Sequence, residues 1–113
     1  MIYTYKGANL DLQHYKGKTI NDFEFIMYDD DEVALDLTVY ETIKIQIFAK
    51  RNGTLIDTWD NNSGVTITSN TINWDATKLE MDTYRLLTYY HHCIGVLASG
   101  QEDLLFYGNS EVI

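Results

Sequence analysis

Apolar residues recur at every second position along much of this chain. The clearest run is Thr42–Trp59, TIKIQIFAKRNGTLIDTW. Ile43, Ile45, Ile47 and Ala49 alternate with Lys44, Gln46, Phe48 and Lys50. A period of two puts one set on a buried face and the other toward solvent, so a strand is predicted. Asn52-Gly53 then supplies two residues that tolerate positive φ, as tight hairpin turns require. The β-rich Leu55–Trp59 follows at once. Two registers are open. A two-residue loop pairs Ala49 with Ile56 and sets Ile47 opposite Thr58. A three-residue loop brings Leu55 and Trp59 onto the isoleucine face. The second buries more apolar area and is preferred, because a one-residue slip turns every side chain over.

The same pattern recurs on both sides of this hairpin. Ile2–Tyr5 reads as a short strand ending near Gly7, and Leu10 and Leu12 extend or restart it. Ile20–Tyr28 carries Phe23, Phe25 and Met27 on one parity. Asp29-Asp30-Asp31-Glu32 packs four like charges together and is predicted to be a solvated loop. Val33–Tyr40 resumes alternation, with Val33, Leu35, Leu37 and Val39 on one face, and reads as a third strand. Val65–Thr68 and Thr71–Trp74 flank Ser69-Asn70. With the turn there, Ile67 faces Ile72 and Val65 faces Trp74, all on one side.

Asp75–Asp82 is the one helix-like piece, with Asp75 as its cap. It is too short to stand alone and is expected to be a crossing connection. Thr83–Ile94 is apolar on both faces and reads as a central strand, with Gly95 as a bulge. Ser99–Glu102 turns the chain into Asp103–Tyr107, and residues 108–113 end the domain. About eight short strands punctuated by turns predict an all-β, immunoglobulin-like antiparallel β-sandwich with one short helical crossing.

Length and charge narrow the function. The 113 residues suit one domain, 1–113. Eight Lys and Arg face seventeen Asp and Glu, for a net charge of -9. Nucleic acid is not an expected partner, since a phosphate-backbone binder needs a basic face. Anionic membrane surfaces are disfavoured for the same reason. The single cysteine, Cys93, permits no intrachain disulfide. The N-terminal residues lack a charged leader with an apolar core, and no apolar run approaches the roughly 18 residues of a membrane span. Synthesis in a reducing cytoplasm fits.

Candidate chemistry is sparse. His91-His92-Cys93 suggests zinc, but neighbours on a strand point to opposite faces, and His14 is the one further histidine. Cys93 as a nucleophile needs a base and an orienting group, and nothing marks them. The acidic run lacks the spaced ligands of a calcium loop. No pattern singles out a carboxylate pair, a phosphate loop or a serine elbow. The expectation is therefore no enzyme, no metal and no cofactor. Asn52-Gly53-Thr54 and Asn61-Asn62-Ser63 are read as turn residues and set aside as glycosylation acceptors. Nine tyrosines are more than a small core can hold. Tyrosine joins a large apolar ring to a polar tip and is enriched at interfaces. Tyr3, Tyr5, Tyr89 and Tyr107 are the interface candidates. Trp74, Asn52 and Gly53 are expected to be structural, as is Tyr84, a candidate tyrosine corner.

The segment order from Ile43 onward is an IKIQIFAK strand, an RNGTLI hairpin, GVTIT, NTINWD, a DATKLEMD crossing, TYRLLTYY and a closing LLFYGNSEVI. Over residues 20–113 this resembles the immunoglobulin-like sandwich domains of tailed-phage structural proteins. The N-terminal domain of baseplate upper proteins and related head-fibre and neck proteins is the nearest. Tyr84 matches the tyrosine of a G-x-Y strand, with Asp82 in place of the glycine. Gly108 and Val112 match the closing G-x-x-x-V. The resemblance implies a non-catalytic virion module, made in the host cytoplasm, that docks on other virion proteins as a homo-oligomer or hetero-assembly. A carbohydrate-binding or adhesion sandwich is the alternative, with Trp59 or Trp74 exposed as a platform for sugar rings.

Overall fold

Strands with one greasy face are stable when two sheets close those faces on each other. A computed structural model describes residues 2–14, 22–75 and 88–112, which form ten strands and one 3₁₀ turn. In chain order the strands are β1 (Ile2–Tyr5), β2 (Ala8–Asn9), β3 (Leu12–His14), β4 (Asp22–Tyr28) and β5 (Tyr40–Phe48). They continue as β6 (Leu55–Asp60), β7 (Val65–Thr68), β8 (Thr71–Asp75), β9 (Thr88–Leu97) and β10 (Glu102–Val112). One sheet has the order β1-β4-β8-β7 and the other β2-β10-β9-β5-β6, with β3 also on β10. The fold is the expected β-sandwich, but its sheets are mixed. β1 runs parallel to β4, and β2 and β3 run parallel to β10. The crossing expected up to Asp82 lies, beyond Asp75, outside the described residues, as does Tyr84.

The inner faces follow the alternation. Phe25, Met27, Val65, Ile72 and Trp74 of the first sheet close over Ile43, Ile45, Ile47, Trp59, Cys93 and Phe106 of the second. The second hairpin has the expected register, Val65 opposite Trp74 and Ile67 opposite Ile72. β9 is central, between β10 and β5. In β10 a register shift between Leu104 and Phe106 lets consecutive Leu105 and Phe106 both be buried.

Three local expectations are corrected. Val33–Val39 does not form the expected strand, and Tyr40 instead opens β5. Asp29 Oδ1 accepts from the amides of Asp31 and Val33 at 2.9 and 3.0 Å, closing the acidic loop. Asp36 then caps a 3₁₀ turn, Leu37–Val39, by accepting from the Thr38 amide at 3.0 Å. Only Leu37 of the supposed stripe is buried, while Val33 and Val39 are exposed. Short side chains that bond the backbone here outcompete β-propensity.

The first hairpin has a four-residue loop, 50–53, closed by Ala49 N–H to the Thr54 carbonyl and Gly53 N–H to the Lys50 carbonyl. Ile45 faces Trp59, so Trp59 joins the isoleucine face. The pairing then shifts by one on β6, and Leu55 meets Phe48 on the outer face. Asn52, with φ 60°, takes the left-handed conformation that was expected of both turn residues. Gly95 is in register with Ile43 and Asp103 and is not a bulge. Its missing side chain makes room for the Tyr40 ring, which a Cβ would meet at 2.6 Å.

The N-terminal arm joins the two sheets. β1 pairs with the first sheet, and at Lys6-Gly7 the chain crosses over. The Lys6 amide donates to the Tyr28 carbonyl and the Gly7 amide to the Leu105 carbonyl. The Leu10 amide then donates to the Tyr107 carbonyl at 2.6 Å. A Cβ at Gly108 would overlap the Leu10 carbonyl, so glycine is needed there for the arm to seat. Gly108→Ala is expected to cost about 1–3 kcal/mol and to raise hydrogen exchange at the Gly7 and Leu10 amides. Unchanged unfolding midpoint and unchanged protection would show that the arm is not seated through this contact.

Candidate functional site

Polar groups collect at three places. The first is buried. His14 of β3, His91 of β9 and Ser110 of β10 have no exposed surface. Ser110 Oγ lies 2.9 Å from His14 Nε2 and 2.6 Å from His91 Nδ1. A hydroxyl has one proton, so it donates to one ring and accepts an N–H from the other. Burial is the main force holding both rings neutral, each with its pKa pushed down to about 4 from 6.5. His91 adds to the effect on His14. On His91, the Leu10 carbonyl and Asp11 pull the other way, and His92 adds to the lowering. Among the described residues, His14 Nδ1, His91 Nε2 and Trp74 Nε1 have no partner within hydrogen-bonding geometry, and the His14 and Trp74 rings meet edge to face at 5.3 Å. A serine bonded to an imidazole is the beginning of a nucleophile. Here the hydroxyl is sealed in the core, and what the trio does in this conformation is tie the arm to two strands.

The second place is the outer face of the first sheet. Thr4 points inward, so Tyr3 and Tyr5 of β1 point out, beside Tyr28 of β4. The Tyr3 ring lies 6.3 Å from Tyr28 at 24°, and Tyr5 lies 6.5 Å away at 50°. With Glu32 they line a shallow hollow of about 330 Å³. Lys6, the next residue, is turned away toward Asp103 Oδ2, 3.3 Å distant. Asp103 also accepts from the Tyr40 hydroxyl at 2.9 Å. Tyr40 and then Lys6 hold the Asp103 carboxyl below its ordinary range. Burial, and then Asp103, push the Tyr40 phenol up to about 12.

The third place is the outer face of the second sheet. Phe48 packs on His92 at 4.8 Å and on Tyr90 at 6.1 Å, and Tyr90 on Tyr107 at 6.5 Å. The Arg51 guanidinium sits 5.7 Å over the Tyr107 ring. His92 Nε2–H donates to Gln46 Oε1 at 2.7 Å. Burial and then Lys44 lower the His92 pKa, with Glu102 opposing.

The interface candidates separate. Tyr3 and Tyr5 are exposed, Tyr107 is half-buried beneath Arg51, and Tyr89 is in the core and cannot serve as a surface contact. Its parity points inward with His91 and Cys93. Trp74 is a core residue as expected. Trp59 is buried too, edge to face with Trp74 at 5.1 Å, so neither offers a platform to a sugar. Among the described residues no three His, Cys, Asp or Glu converge as metal ligands. Asn52-Gly53-Thr54 and Asn61-Asn62-Ser63 both match the Asn-x-Ser/Thr acceptor pattern, which corrects their exclusion, and both asparagines are exposed. Sequence reasoning missed Ser110 and Tyr28. A lone serine in a strand carries no signal, whereas the parity of Tyr28 opposite Phe25 and Met27 placed it outside.

No helix among the described residues is long and apolar enough to cross a membrane. Comparison of the chain with protein-family models finds no match, and comparison with curated proteins finds none either.

The buried rings set a pH dependence. The unfolded chain binds protons on His14 and His91 near pH 6.5 and the folded one near 4. The stability of keeping them neutral is therefore complete above about pH 6.5 and is lost as pH falls toward 4. At about 1.4 kcal/mol per pH unit the loss reaches on the order of 3 kcal/mol per ring. Urea midpoints are expected to fall through this window, with a shallower slope in His91→Gln; a flat profile would contradict the buried, neutral pair. Cys93 is fully buried and burial pushes its thiol far up. It is expected to resist an aromatic disulfide reagent until the protein unfolds, and rapid labelling of the native state would place it elsewhere.

Proposed function

We propose that this chain is a non-catalytic assembly module that works by docking on other protein subunits. The observation that carries the reading is the state of its open edges. Among the described residues, β1 ends one sheet and β6 ends the other, and each has a neighbouring strand on one side alone. Large apolar side chains stand exposed on those same strands: Tyr3 at 64% and Tyr5 at 45% on β1, Leu55 at 47% and Ile56 at 40% on β6. An edge with exposed apolar side chains takes a partner by strand addition, backbone bonds giving affinity and side-chain contacts giving choice. The segment order resembles tailed-phage structural proteins, which supports a place in a virion or prophage particle, at the baseplate, neck or head fibre, after synthesis in the host cytoplasm. A net charge of -9 suits partners with basic docking faces.

The test is association with the products of genes flanking this one, measured by light scattering on co-purified chains. Ile56→Lys and Tyr3→Ala each replace an exposed residue, so the unfolding free energy is expected to move by no more than about 0.5 kcal/mol. At least one of them is expected to weaken association about tenfold or more. Equal association by both variants, or a gene set among no structural genes with a chain that binds none of its neighbours' products, would overturn the reading.

A further inference from the structure

We propose that the hollow lined by Tyr3, Tyr5, Tyr28 and Glu32 is a binding site for a methylated or quaternary ammonium group. The inference goes beyond the docking reading and stands without it. Three observations carry it.

The first is the clustering of rings. Tyr3 and Tyr5 lie beside Tyr28 with centroids 6.3 and 6.5 Å away and tilts of 24° and 50°, and the three rings line one shallow trough. Tyrosine faces carry negative charge density and attract a cation within about 6 Å of the ring centre. The second is the sign of the surroundings. Glu32 lines the hollow and opens the trough to a cation from one side. The nearest lysine in sequence, Lys6, is spent on Asp103, 3.3 Å from it on β10. Among the described residues, no positive charge lines the trough. The third is exposure. Tyr3 and Tyr5 keep 64% and 45% of their surface in solvent, a large apolar area on the outer face of the sheet.

The ligand class follows from matching these properties. A bare ammonium holds its water tightly and gains little from ring faces. Methyl groups spread the charge, lower the cost of dehydration and make van der Waals contact with the rings. A neutral sugar would use the ring faces but would gain nothing from the carboxylate's charge. An anion would be repelled by Glu32. The trough lies at the Tyr5–Tyr28 end of the β1–β4 pair, away from the Asp22–Asp75 end.

The experiment is proton NMR titration of the whole chain with choline. The control is choline's uncharged isostere, in which a tert-butyl group replaces trimethylammonium. Choline is expected to shift the ring protons of Tyr3, Tyr5 and Tyr28 saturably, and the isostere to bind about tenfold more weakly or less. Tyr3→Leu, Tyr28→Leu and Glu32→Gln are each expected to weaken choline about two- to fivefold. Tyr3 and Glu32 are exposed, so these two variants keep the fold, which their unfolding midpoints check. Trimethyl-lysine in a short peptide gives a second arm, and binding of either compound supports the site while the ratio tells its source. Equal binding of choline and the isostere, or no saturable shift with choline or the peptide, would overturn the proposal. Either result leaves the association of Ile56→Lys and of the unaltered chain to judge docking separately.

Discussion

The structure depends on rings from one sheet meeting rings from the other. Phe25 lies 4.6 Å from Phe106, Trp59 5.1 Å from Trp74, and His14 5.3 Å from Trp74. Each pair takes one member from each sheet, apart from any strand bonding. Such contacts contribute beyond the area they bury, and their geometry is directional. They set how the sheets face each other. The isoleucines of β5 then fill the space between, with Ile43, Ile45 and Ile47 all buried.

The arm is the second consequence of that arrangement. A sandwich has two sheets with no backbone bonds between them, and residues 2–14 supply one strand to the first and two to the second. The arm crosses at Lys6-Gly7, is held by the Lys6–Asp103 ion pair, passes over Gly108 and ends on the His14–Ser110–His91 bonds. Lys6–Asp103 is partly exposed and contributes little by itself. The buried bonds count for more, because either imidazole without its hydroxyl would be a polar group stranded in the core. A wholly apolar trio could pack as well. The two bonds of the polar one form only when β3, β9 and β10 lie in this register, which is a reason for it to be there.

What remains for function is on the outside. The histidines and the cysteine that looked like chemistry in the sequence are enclosed, apart from His92, which bonds Gln46. Of the four tyrosines named as interface candidates, Tyr3 and Tyr5 stand exposed beside Tyr28, while Tyr89 is in the core. Burial sorts the roles: inward groups hold the fold, and outward ones stay open to solvent.

Much of the fold was legible in the sequence. Alternation located the strands, because the pleat sends successive side chains to opposite faces. The turn at Ser69-Asn70 and the apolar pattern around it agreed, so that hairpin's register was determined locally. Other features required the tertiary structure. Val33–Val39 carries a strand pattern, but carboxylates of Asp29 and Asp36 capture nearby amides and bend it. Gly95 looked like a bulge because the Tyr40 ring that needs its space is 55 residues away in the chain. The parallel pairing of the arm with β10, and the meeting of His14, His91 and Ser110, join residues up to 98 apart in sequence. Alternation is a property of neighbours and can be read along a chain; which distant strand lies alongside is decided only when both sheets have closed.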